Sequence, residues 1–178
     1  RSCQWKDVAS QELRFKILVE IANLENARVL DLGCGKADLC FYLNHRGVPV
    51  DYVGYDISKA MVDFVKLRDP ACKVFVRDIL AEGVDGEFDY AIISGIFNNK
   101  ISDNWGFLTK TLEMLWPHVR KGIAFNLVTT YVDYTEPHLY YEDPGRVYDW
   151  VKKNLTRFVT LRSDYLPFEY TVYAYKRS

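Results

Sequence analysis

At 178 residues the chain is long enough to bury one full α/β core, and its 49% hydrophobic and 26% charged content is ordinary for a globular domain. A net charge of -1 gives no electrostatic reason to expect nucleic acid or an anionic membrane as partner, and no apolar run approaches the roughly 18 residues a membrane helix needs. Cys3, Cys34, Cys40 and Cys72 make no C-x-x-C pair and have no histidine at zinc spacing, which argues against a metal site and for reduced thiols in a cytoplasmic compartment.

Leu13, Ile17, Leu18, Ile21 and Leu24 share one helical face, and Ser10 is placed to cap that helix. "RVLDLG" (28–33) reads as a short buried strand. A helix follows with Leu39, Cys40 and Leu43 inward, and Gly47 is its stop. "DYVGYDI" (51–57) is a second strand, and Ser58 caps a helix running to about Arg68. "CKVFVRDI" (72–79) and "FDYAIISGI" (88–96) are the third and fourth strands. Trp105, Leu108, Leu112 and Leu115 mark a helix that Pro117 closes, before a fifth strand, "GIAFNLVTT" (122–130). Asp143-Pro144 opens another helix. "RFVTLRSDY" and "FEYTVYAYK" then follow, separated only by Leu166 and Pro167. That link is too short for a crossover helix, so the pair is expected to be an antiparallel hairpin. The pattern predicts an α/β fold: a Rossmann-like, doubly wound, seven-stranded sheet, mostly parallel, with an antiparallel C-terminal β-hairpin. Residues 1–178 read as one domain, and the start at Arg1 rather than Met suggests a piece of a longer chain.

The chemistry concentrates in "VLDLGCGKADL" (29–39). A Walker loop needs a second glycine and a Lys-Ser or Lys-Thr pair at fixed spacing, and neither is present. The dinucleotide fingerprint G-x-G-x-x-G fits at Gly33 and Gly35 but meets Asp38 where a small residue belongs, and a carboxylate there repels a pyrophosphate.

"VLDLGCG", "YVGYDIS", "VRDI" and "FDYAIISGIFN", in this order on four successive strands, resemble the class I S-adenosylmethionine-dependent methyltransferases. The resemblance covers roughly residues 10–130 in specific motifs, and the closing hairpin matches the family's reversed last strand. It implies S-adenosyl-L-methionine as cofactor and S-adenosyl-L-homocysteine as product. Asp31, with Gly33, Cys34 and Gly35, then faces the zwitterionic amino-acid end, whose ammonium suits a carboxylate. Asp56, with Ile57 beside it, takes the ribose hydroxyls. Asp78 and Ile79 contact adenine, and the segment from Ser94 to Phe97 lines the methyl end. Arg14 is placed to reach the cofactor carboxylate.

The acceptor is expected at the long connection "TTYVDYTEPHLYYEDP" (129–144), because such connections at the carboxyl edge of the sheet bind substrates. Tyr131, Tyr134, Tyr140 and Tyr141 are the substrate-binding candidates. His138 is the candidate base, with Asp133 and Glu136 as alternatives. "SGIFNNK" lacks the Asn/Asp-Pro-Pro-aromatic motif used on planar amino groups. "SQELRF", "SGIFN" and "LYYEDP" are similar to segments of small bacterial methyltransferases of polysaccharide and secondary-metabolite enzymes, which implies O-methylation of a sugar or other small molecule. Two rival functions stay open: a non-catalytic binding domain of the same fold, and a nicotinamide-dependent oxidoreductase, which Asp38 and the hairpin disfavour. Nothing in the sequence sets an oligomeric state.

Overall fold

The computed structural model describes residues 3–177, and Cys3 is among those whose side chains lie outside that description. Fourteen segments follow the predicted alternation: α1 (Cys3–Val19), β1 (Arg28–Leu32), α2 (Asp38–His45), β2 (Asp51–Asp56), α3 (Lys59–Arg68), β3 (Val74–Val76), α4 (Ile79–Glu82), β4 (Phe88–Ile93), α5 (Asn104–Leu115), a 3-10 turn (Trp116–His118), β5 (Val119–Val128), α6 (Pro144–Asn154), β6 (Val159–Arg162) and β7 (Glu169–Tyr175). They build one seven-stranded sheet in the order β3-β2-β1-β4-β5-β7-β6. The pairs from β3 through to β5 are all parallel, while β7 runs antiparallel to both β5 and β6. The strand order reverses at β1, which leaves a crevice above the carboxyl ends of β1 and β4, where ligands of open α/β sheets bind.

Alternation along each strand sends side chains to two apolar layers. Phe15 and Leu18 of α1, with Ile21 just past its end, pack with Leu39 and Leu43 of α2 on one face. Leu108 and Leu112 of α5 and Val147 and Val151 of α6 cover the other. Val62 and Val65 of α3 join a smaller cluster with Tyr52, Val74, Cys34, Cys40 and Cys72. Each fully buried side chain of this size contributes about 1.5–3 kcal/mol, so packing rather than helix propensity holds the eight-residue α2 in place. The thiols of Cys34, Cys40 and Cys72 are free, and no described helix is long and apolar enough to cross a membrane.

The caps follow the sequence in several places. Ser58 accepts from Met61 N, Asp143 accepts from Gly145 N with Pro144 at the first helical position, and Gly47 ends α2 at φ +67°.

Several boundaries differ, and β4 ends at Ile93 rather than at 96. Ser10 lies inside α1, because no breaker stops that helix from extending to Cys3, and Leu24 lies beyond its end. β3 is three residues long instead of eight, because Asp78 leaves the strand to cap the short α4, a single turn with too little periodicity to be read in advance. β5 is shifted toward the N-terminus of its predicted span. Residues 163–168 link β6 to β7, a longer turn than expected, closed locally by Arg162 pairing with Asp164 at 3.2 Å.

Candidate functional site

The loop after β1 is built on unusual backbone. Gly33, Gly35 and Ala37 all have positive φ, at +73°, +53° and +58°. A Cβ at position 33 would lie 2.2 Å from Ile96 Cγ2, so the segment after β4 closes directly on this glycine. A Cβ at position 35 would meet nothing within 4 Å, and there only the backbone angle requires glycine. The N–H groups of Gly33 and Cys34 donate to Tyr55 O at 2.8 and 3.0 Å, which ties the loop to the end of β2.

Asp56 completes that tie. Its Oδ2 accepts from Gly35 N and its Oδ1 from Ser58 N, both at 2.8 Å. One accepted bond on each oxygen leaves further lone pairs, and the half-buried carboxylate borders a cleft. That cleft has a volume of 240 Å³ and brings together Gly33, Asp56, Ile57, Asp78 and Ile79, five of the residues singled out from sequence. Asp78 is exposed, and its Oδ1 is partly engaged in capping α4 through Leu80 N at 3.0 Å. Ile96, inside the segment 94–97 singled out from sequence, also lines the cleft, as do Arg77, Phe107 and Thr111, which sequence reasoning missed. Thr111 carried no signal: it sits mid-helix on α5 and reaches the site only through packing. Its hydroxyl is fully buried without a hydrogen-bond partner among the described residues.

Asp31 lies behind the loop at 4% exposure. Tyr52 Oη donates to its Oδ2 at 2.6 Å, and no described cation pairs with it. Burial pushes its pKa up to about 7; the Tyr52 hydrogen bond opposes that rise, and the charges of Asp56 and Asp38 add to it. Cys34 is buried against Gly54, where even a Cβ would come within 2.8 Å of its Sγ, and burial raises the thiol's pKa. Ser94 is half-buried just beyond β4. The Phe97 ring instead turns into the core, edge-on to Phe107 and Phe125 at 5.5 and 6.3 Å.

A second cavity, of 460 Å³, opens beside the long connection after β5. Tyr131, Tyr134 and Tyr141 line it, together with Asp133 and Glu136. Tyr140 does not. Its hydroxyl donates to the buried Glu142, and burial, reinforced by that carboxylate, raises its pKa. His138 lies outside the lining with its side chain 69% exposed, its Nε2 3.3 Å from Glu136 Oε2. Arg14 also lines this cavity rather than the cleft below Asp56. Its Nε donates to both oxygens of Glu169, at 2.7 and 2.9 Å, and Glu169 is 3% exposed. Glu169 and the preceding Phe168 went unnoticed in sequence because β7 reaches this edge only through antiparallel pairing with β5; Asn98, in the irregular segment after β4, was passed over as well. Among the described residues no group of three or more His, Cys, Asp or Glu is arranged to hold a metal ion.

A family model described as a methyltransferase domain matches residues 23–154. A Mycobacterium tuberculosis protein that carries a methyltransferase name is 37% identical over 154 residues, covering 83% of this chain and 92% of that protein. Among solved structures, a SAM-dependent methyltransferase from Archaeoglobus fulgidus superposes with a TM-score of 0.71 at 16% identity, covering 94% of each chain. Magnesium protoporphyrin IX methyltransferase from Synechocystis, solved with bound SAH, gives 0.66 at 15% identity, covering 92% of this chain and 80% of that one. At such identities the structural likeness speaks for the fold.

Proposed function

Since the chain belongs to the class I S-adenosylmethionine-dependent methyltransferases, we propose that it methylates a hydroxyl of a small-molecule acceptor, a sugar or a secondary metabolite. One observation carries this reading: the segment 96–98 contributes to the walls of two cavities. Ile96 lines the cleft below Asp56, Asn98 lines the larger cavity, and the buried Phe97 stands between them. A donor seated in the first therefore shares that segment with a second chamber able to take an acceptor.

The site's own groups fit the donor. Asp56 has lone pairs left for ribose hydroxyls, and Ile57 and Ile79 offer apolar contact to a purine between them. The unpartnered Thr111 hydroxyl and Asp78 supply polar contacts at the same end. Asp31, buried without a cation, suits an ammonium, and the bare backbone at Gly35 leaves room for the amino-acid tail. The bound sulfonium supplies a methyl carbon already activated for attack, with the C–S electron pair returning to sulfur as the acceptor oxygen bonds to carbon. The protein's task is then alignment, which in favourable cases accounts for about 7–11 kcal/mol of a barrier. The acceptor's hydroxyl proton leaves to Glu136 on the cavity wall, and His138, paired with Glu136 and facing solvent, carries it onward. Three buried free thiols support a reducing, cytoplasmic setting, and the single sheet supports one domain.

Calorimetry with S-adenosylmethionine, S-adenosylhomocysteine and NAD tests the donor half. Both sulfur nucleosides should bind and NAD should not. Labelled methyl transfer into a panel of sugars and cell extract tests the acceptor half. Failure of either sulfur nucleoside to bind would sink the reading.

A further inference from the structure

An acceptor hydroxyl needs two partners of opposite kind. One takes its proton, and the other donates to one lone pair so that the second is aimed at the methyl carbon. The larger cavity offers both. Glu136 on its wall takes the proton in the reading above, and Asn98 supplies the donor. Asn98 Oδ1 is sealed from solvent without a partner among the described residues, so the end of the amide open to the cavity is Nδ2, which carries two N–H groups.

The amide is held close to where the methyl is expected. A Cβ at Gly95 would lie 3.7 Å from Asn98 Nδ2, so the side chain folds back over the segment 94–97 assigned to the methyl end. Gly95 is itself fixed, its N–H donating to Asn126 Oδ1 at 2.8 Å. Two consecutive tyrosines then set Asn98 and Glu136 in relation to each other. Tyr140 N donates to Asn98 O, and Glu136 N donates to Tyr141 Oη, both at 2.8 Å. The pairing continues through an antiparallel bridge between Asn99 and Leu139, with Lys100 N donating to His138 O at 2.8 Å. One short ladder therefore carries the donor on one side and the base on the other.

Two properties of the chamber favour a hydroxyl on an aromatic ring over one on a sugar. A carboxylate is a weak base, and a phenol, with a pKa of about 10, releases its proton far more readily than a sugar hydroxyl does. The wall is also rich in carbon: the rings of Tyr131, Tyr134, Tyr141 and Phe168 line it together with Val132 and Leu139. Tyr131 and Tyr134 are each 76% exposed, aromatic surface that a flat ring covers by stacking. A sugar would bring several further hydroxyls, each needing its own partner in that wall.

We propose that this cavity takes a phenol, and that Asn98 is the specificity-determining residue that aims it, donating from Nδ2 to the phenolic oxygen while Glu136 accepts the proton. The proposal rests on the O-methylation reading above and narrows it to aryl hydroxyls. In the step, the O–H bond breaks toward Glu136 and an oxygen pair forms the new O–C bond. The C–S pair returns to sulfur.

The test measures labelled methyl transfer from S-adenosylmethionine to catechol, 1-naphthol and quercetin, and to methyl glycosides of a hexose and a 6-deoxyhexose. At least one phenol should be methylated, with kcat/KM at least about tenfold above that of either glycoside. Asn98→Asp is nearly isosteric but replaces the donor with an acceptor, and Asn98→Leu removes both. Each should lower kcat/KM for the phenol about tenfold or more, while S-adenosylhomocysteine still binds in calorimetry. An Asn98→Asp enzyme that methylates phenols at the unmodified rate overturns the proposal. Transfer to a glycoside but to no phenol overturns it and leaves the O-methylation reading standing. Absence of S-adenosylhomocysteine binding to the unmodified protein brings down both.

Discussion

The Tyr52 hydroxyl donates to Asp31 Oδ2 at 2.6 Å beneath the glycine loop, linking two residues of adjacent parallel strands through a bond that water does not reach. The pair leaves Asp31 with one neutral donor and no cation, so burial decides its titration.

Folding raises the Asp31 pKa from 3.8 to about 7. The folded state therefore holds this proton more tightly than the unfolded chain, and the associated stability is complete below pH 3.8 and lost as pH rises to about 7. Urea titrations across that window should show the ligand-free protein losing stability relative to Asp31→Asn. An ammonium facing Asp31 reverses the sense for binding: S-adenosylhomocysteine affinity should rise with pH up to about 7, by at most about tenfold per unit. Asp31→Asn should flatten that profile. Tyr52→Phe should move the profile to higher pH, since the hydrogen bond that lowers the pKa is gone.

Asp56 has two tasks, holding the loop at Gly35 N and offering acceptors to the cleft. Asp56→Ala is expected to weaken S-adenosylhomocysteine by about 1.5–3 kcal/mol, the range for a charge-assisted hydrogen bond. Calorimetry reads this directly, and unchanged affinity would remove Asp56 from the binding site.

Gly33→Ala meets two obstacles at once. Its Cβ would fall 2.2 Å from Ile96 Cγ2, and its φ of +73° costs a side chain about 1–2 kcal/mol even in open space. Adding Ile96→Ala removes the clash and leaves the backbone strain. The double variant should therefore recover part of the lost melting temperature but not all of it. Full recovery would show that backbone geometry contributes nothing here.

Removing Arg14 alone strands Glu169 at 3% exposure, and breaking such a buried pair costs about 3–5 kcal/mol. Arg14→Met should therefore destabilise strongly in urea. Arg14→Met with Glu169→Leu removes both charges and should recover most of that loss. Additive losses in the double variant would contradict a direct coupling.

Thr111→Val replaces an unpaired buried hydroxyl with an isosteric methyl. It should raise the stability of the ligand-free protein by about 1 kcal/mol and weaken S-adenosylhomocysteine. A stability loss would mean that the hydroxyl is satisfied in solution.

Much of the cleft was legible because its lining residues recur at the ends of successive strands. Gly33, Asp56, Ile57, Asp78 and Ile79 each fall at or just past a strand's carboxyl end, and parallel strands deliver those ends to a single crevice. Phe97 shows the limit of that logic: it follows β4 closely, yet its ring takes an apolar slot between Phe107 and Phe125. The acceptor side was less legible. Tyr131, Tyr134 and Tyr141 line the larger cavity, but Tyr140 turns away, because its hydroxyl finds a buried carboxylate. No local period distinguishes neighbouring tyrosines of an irregular segment.

The sequence by itself determined the α/β class, the parallel run of strands, the reversed hairpin and the glycine loop, because hydrophobic period, caps and positive-φ glycines are local properties of the chain. Only the tertiary structure decided what surrounds Arg14. On the first helix it looked available to the cofactor, yet β7, inserted between β5 and β6, brings Glu169 across 155 positions of sequence to bind it. A half-buried guanidinium takes the carboxylate that folding places beside it, and that choice depends on strand order, which no stretch of sequence around Arg14 encodes.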